Sequence, residues 1–93
     1  AVTYAYDILE RMRANHASAV AGNYNIAMSD DAPTGSSIPA TDLAQWLGLI
    51  AGNLPAGDGE ALINARIVTV RVQWDDTRAG GTTTEQFELK SEL

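Results

Sequence analysis

Few side chains in this sequence have the type and spacing to do chemistry, and each has a plainer competing role. His16 is the only histidine, so any imidazole base or triad must use it. It falls among apolar residues near the end of the first helical stretch, where a structural histidine is the stronger reading. Asp30-Asp31 and Asp75-Asp76 are paired carboxylates of the kind that bind calcium or share a proton. Neither pair has the spaced oxygen ligands of a calcium loop, and adjacent acids in a loop are more often solvated turns. Gly57-Asp58-Gly59 is too short to cradle a phosphate, lacks a following Lys-Ser/Thr, and precedes a strand pattern; it reads as a turn. Cysteine is absent, which excludes disulfides and thiolate metal sites. No catalytic, cofactor or metal residue emerges, and an enzyme is not expected.

The aromatic residues divide into two groups. Trp46 and Trp74 fall on faces expected to be buried and read as core. Tyr4 and Tyr6 fall to the sides of an apolar stripe, where they either pack on the flanks of a sheet or contact another molecule.

These residues must be positioned by a single domain, since 93 residues support one core. Twelve acidic against six basic residues give a net charge of -6, with the basic residues scattered. Nucleic acid and anionic membrane surfaces are therefore not expected partners, because phosphate binding draws on clustered Lys and Arg. No window approaches the run of about 20 apolar residues that crosses a bilayer.

The periodicity predicts a long helix over residues 1–21. Ala1, Val2, Ala5, Ile8, Leu9, Met12, His16, Ala19 and Val20 share one side, while Asp7, Glu10, Ala14 and Ser18 share the other. Asp7 lies four residues before Arg11 and Glu10 three before Arg13, spacings that allow ion pairs on the solvent side. The pattern is already helical at Ala1, which carries the expectation of a helical segment upstream. Gly22 supplies the stop, as glycine takes a left-handed conformation freely.

Residues 22–40 have neither helical nor strand periodicity, although Tyr24, Ile26 and Met28 alternate with polar residues and could pin this loop to the core. A second helix is expected over 41–54, capped by Thr41 or Asp42. Leu43, Trp46, Leu47, Ile50 and Leu54 form its stripe, and Pro55 ends it. The remainder, 60–93, reads as antiparallel sheet of about three to four strands. Ala61 to Asn64 is a weak strand that could run straight into the next. Val68, Val70, Val72 and Trp74 alternate with polar residues, as do Phe87, Leu89 and Leu93. Gly80-Gly81 marks a hairpin tip between them. The expected register sets Arg71 opposite Glu88 and Val72 opposite Phe87. The fold class is α+β, with both helices on the one apolar face of the sheet.

The segment DILERMRAN, Asp7 to Asn15, resembles a recurrent segment of type IV pilus minor pilins of the PilV class. Asp7, Glu10, Arg11, Met12, Arg13 and Asn15 carry that signature. The similarity continues in order through the Trp-containing second helix with its Leu-Pro ending, the Gly-rich turn at Pro55 to Gly59, the strand VTVRVQWDD and the closing strand. His16 stands where the family usually has another basic residue. The resemblance implies a pilin-like fold: a long N-terminal helix whose C-terminal half crosses the sheet, and whose hydrophobic N-terminal half, outside this chain, holds the inner membrane. Many pilins close a C-terminal loop with a disulfide, and here packing must do so.

By the same resemblance the function is structural. Such a subunit primes pilus assembly within a tip-associated complex of minor pilins of the FimU, PilW and PilX type, with the major pilin and a tip adhesin of the PilY type. It starts in the inner membrane with its globular domain in the periplasm and ends on the cell-surface pilus. Tyr4, Tyr6, Arg11 and Arg13 are the residues expected to face partners. Two alternatives stand beside it: a minor pseudopilin of a type II secretion system, and a secreted ligand-binding module using the loop from Asn23 to Ala40.

Overall fold

A computed structural model describes residues 2–76 and 83–93. The order is α1 (Val2–Ala14), α2 (His16–Val20), α3 (Ile38–Asn53), β1 (Asp58–Asn64), β2 (Ile67–Asp76) and β3 (Thr83–Glu92). The strands form one antiparallel three-stranded sheet in the order β1-β2-β3, so the α+β class holds. The expected Gly80-Gly81 tip lies outside the described residues.

The first helix is shorter than its pattern predicts. It stops at Ala14, and Asn15 leaves helical geometry at φ -126° and ψ 55° before α2 begins. Asparagine competes with the helix by offering its side chain to local and tertiary partners, so it is a natural place for a break. Its amide is shared between the carbonyls of Arg11 and Met12, each at 3.2 Å. The break also resets the helical phase. His16 and Val20, which share the buried stripe on an unbroken wheel, are exposed, while Ala5, Ile8, Leu9, Met12 and Ala19 are buried. Gly22 performs the expected termination at φ 88°: its N–H donates to Ala19 and that of Asn23 to Ser18, the paired bonds of a Schellman end.

Helix α3 starts three residues earlier than residue 41. Ser37 is the cap, its Oγ accepting from the Ala40 N–H at 3.2 Å, and Pro39 occupies the first turn where its missing N–H costs nothing. The far end is as expected, at Asn53 ahead of Pro55. Leu43, Trp46, Leu47 and Ile50 bury the predicted stripe.

Strand β1 departs twice from expectation. Asp58 and Gly59 belong to the strand, so Gly57 to Gly59 is not a turn. These glycines permit contact: a Cβ at Gly57 would lie 2.5 Å from the Ile50 carbonyl oxygen, and one at Gly59 would lie 2.6 Å from the Trp46 ring. The strand also does not run on into β2. Ala65 and Arg66, at φ 49° and 69°, make a two-residue hairpin, with Asn64 opposite Ile67. Left-handed conformation at both central positions matches the twist of the flanking strands.

The β2-β3 register is the predicted one, Arg71 opposite Glu88 and Val72 opposite Phe87. Val68, Val70 and Val72 are fully buried beneath the helices, while Trp74, Phe87, Leu89 and Leu93 are half-buried at the border of the core. The segment after α2 pins itself as its alternation suggests. Tyr24 and Ile26 are buried, and Ile26 forms a two-way backbone bridge to Ala61 on the outer edge of β1. Asn25 Oδ1 accepts from the Ile63 N–H at 2.9 Å, so the middle of this edge is occupied, and the Ser29 N–H anchors the loop on the Asp58 carboxylate at 2.9 Å.

Candidate functional site

Asp7, Arg11 and Asn15 repeat every four residues and therefore stack along one side of α1. Their heads converge on α3 and the loop that precedes it. Arg11 Nε donates to Asp7 Oδ1 at 3.0 Å, and Arg11 Nη1 donates to Asp42 Oδ1 at 3.1 Å and Gln45 Oε1 at 2.9 Å. The second Asp42 oxygen accepts the Tyr24 hydroxyl at 2.6 Å, and Asn15 Nδ2 approaches that hydroxyl at 3.5 Å. A polar spine of side chains thus joins the first helix, the loop and the third helix.

The electrostatics follow from partial burial. Desolvation opposes the charge on Arg11, yet hydrogen bonds and attraction from Asp7 and Asp42 outweigh it and raise its pKa. Burial raises the Tyr24 pKa above its ordinary 10.0, and donation to the Asp42 carboxylate adds to the effect. Both groups are thereby held in the protonated states that the spine requires.

The residues expected to face partners separate into two pairs. Tyr4 is half-buried against the core, and its carbonyl accepts the Trp46 indole N–H at 2.7 Å. Arg11 is committed to three acceptors within the domain. Tyr6 is 48% exposed and Val2 50%, leaving an apolar surface at the start of α1. Arg13 is also on the surface, donating to Glu10 at 2.8 Å and to Ser91 of β3 at 3.3 Å. Met12 is buried, so all six signature residues make contacts inside the domain.

Asp42, Gln45 and Tyr24 were not selectable from the sequence as members of this site. Asp42 suits a helix first turn and Tyr24 a pinned loop, and nothing in local spacing pairs residues 18 or 31 positions apart. The remaining polar candidates stay dispersed. Among the described residues the His16 side chain makes no hydrogen bond, Asp30 Oδ2 accepts the Ala27 N–H in a local turn, and the Asp75 carboxylate has a 3.5 Å contact from Thr84. No three metal-binding side chains converge among the described residues. An open groove of about 410 Å³ lies beside the spine, lined by Arg11, Gln45, Gly48, Leu49 and Asn53.

No family model, curated protein or solved structure matches the chain. No helix among the described residues is long and apolar enough to cross a membrane.

Proposed function

We propose that this chain is the globular domain of a minor pilin of the PilV class, a subunit that primes type IV pilus assembly. The observation that carries the reading is the clamped first helix. Ala5, Ile8, Leu9 and Met12 are buried over the sheet, and Asp7, Arg11 and Asn15 are tied to α3 and the loop. A subunit that joins others through a helical rod needs that rod held at a fixed angle to the surface that selects partners. Val2 and Tyr6, left exposed at the end of the clamped helix, supply apolar surface where such a rod would meet its neighbours.

On this reading the partners are other minor pilins, the major pilin and a tip adhesin, and an apolar helical segment precedes α1 to hold the inner membrane before assembly. Deleting the gene is expected to abolish surface pili and twitching. Loss of enzyme secretion with pili intact would instead assign the chain to a type II secretion system. Tyr6→Ala and Arg13→Glu are the clean probes of partner contact, because Tyr4 and Arg11 serve the fold. In a pull-down from the native membrane, correctly folded Tyr6→Ala protein is expected to lose minor-pilin association. Full retention by both variants would remove α1 from the partner surface.

A further inference from the structure

Strand β3 is the open side of the sheet. It pairs with β2 on one side, and among the described residues its other row of backbone N–H and C=O groups has no backbone partner. Such an edge either repels other strands or templates one, and its charges decide which. Here the outer face of β3 carries Glu88 and Lys90 two residues apart. Among the described residues Glu88 uses Oε1 for Arg71 and leaves Oε2 without a partner, and Lys90 forms no ion pair. Opposite charges two positions apart are self-complementary across an antiparallel two-fold.

We propose that β3 pairs antiparallel with β3 of a second copy of this chain, with Leu89 opposite Leu89 on the symmetry axis. A two-fold normal to the sheet keeps the helix-covered faces of both copies on the same side, so each residue must meet one of its own face. Centring on Leu89 places Lys90 opposite Glu88 on both sides of the axis, and Phe87 opposite Ser91. Centring on Glu88 or Lys90 brings carboxylates together, as Glu88 with Glu88 or Glu88 with Glu92. Centring on Phe87 forms no ion pair, and it sets Glu85 against Leu89 as the Leu89 register sets it against Leu93, so the ion pairs decide between them. Centring on Ser91 keeps a Lys90–Glu92 pair but engages only residues 89–93, against 85–93 for the Leu89 register. The pairing also covers Leu89 and Phe87, which the monomer leaves half-buried.

Sedimentation of the full chain tests this. The wild-type protein is expected to form a concentration-dependent dimer. Lys90→Glu creates two carboxylate pairs across the axis and is expected to weaken self-association about tenfold or more; Glu88→Lys does the same with opposite sign. Mixing the two variants is expected to restore association, since one chain then presents carboxylates at both positions and the other presents ammonium groups at both. The chain has no cysteine, so Leu89→Cys supplies a unique crosslink and is expected to yield a disulfide dimer on mild oxidation. A wild-type monomer up to about 1 mM, or a dimer indifferent to Lys90→Glu with no crosslink at residue 89, overturns the proposal.

Discussion

Gly59 lies directly against the indole of Trp46: a Cβ there would sit 2.6 Å from Cη2 and 2.8 Å from Cζ3 of the ring. The ring cannot retreat easily, because it is fully buried and its Nε1 is held by the Tyr4 carbonyl. Gly59→Ala is therefore expected to destabilise the domain by about 1–3 kcal/mol, the usual cost of overpacking. Gly57→Ala should cost more, since its obstacle is the Ile50 backbone rather than a side chain. Urea unfolding of both variants measures the order.

The hairpin between β1 and β2 stores removable strain. Arg66 holds φ 69°, a conformation that side chains disfavour and glycine does not. Its side chain forms no hydrogen bond or ion pair among the described residues, whereas its carbonyl accepts from Leu93 and would do so equally from glycine. Arg66→Gly is expected to stabilise by about 0.5–1 kcal/mol. In a domain of this size that raises the melting midpoint by several degrees, readable by calorimetry.

Arg71 is gripped by two carboxylates of unequal importance. Glu60 binds it at 2.6 Å and is 12% exposed, while Glu88 binds at 2.8 Å and is 43% exposed. Glu60 also accepts the Met28 N–H, so its loss frees part of the loop. Glu60→Ala is expected to cost about 1–3 kcal/mol, and Glu88→Ala less than about 1 kcal/mol. Thermal unfolding in low and high salt should show the smaller effect fading first.

The buried phenol of Tyr24 makes stability fall on the alkaline side. Its pKa is raised above 10.0 by burial and by donation to Asp42, so the folded chain keeps this proton after the unfolded chain has lost it. The stabilisation is complete below the ordinary tyrosine value and disappears as pH rises through the raised one. Tyr24→Phe is expected to flatten this part of the stability profile. It also leaves the second Asp42 oxygen without its short hydrogen bond, at a cost of about 1.5–3 kcal/mol at neutral pH. Denaturant midpoints from pH 8 upward, alongside phenolate absorbance, test both statements.

What was legible came from period and charge acting together. Val72 and Phe87 could be matched because shifting the strands by one residue would turn the valine face outward and set Arg71 against an apolar residue. Leu43 to Ile50 announced α3 through their spacing, and Pro55 its end. The failures share a different origin. Ala65 and Arg66 carry no turn chemistry, so their hairpin is imposed by the strands that flank it. Gly57 and Gly59 look like turn residues but answer to Trp46 and Ile50, which are distant in sequence. Asn15 interrupts an apolar stripe whose count continues undisturbed through it, and the Asp42–Tyr24 bond has no local trace. Local chemistry wrote the elements and several of their ends, such as Gly22 and Pro55, while tertiary contacts account for Gly57, Gly59 and the Asp42–Tyr24 bond.

The bridge from Ile26 to Ala61 bears on how many copies strand pairing can gather. It occupies the middle of the outer side of β1 with a segment of the same chain, and Asn25 takes up the neighbouring Ile63 N–H. A sheet with both sides open propagates, each added molecule presenting a fresh template, which is the route to fibrils. In this sheet the bridge obstructs the β1 side, which leaves β3 as the side open to pairing. Association through β3 is therefore expected to favour a dimer over a growing sheet, and the loop between the helices is what biases the stoichiometry.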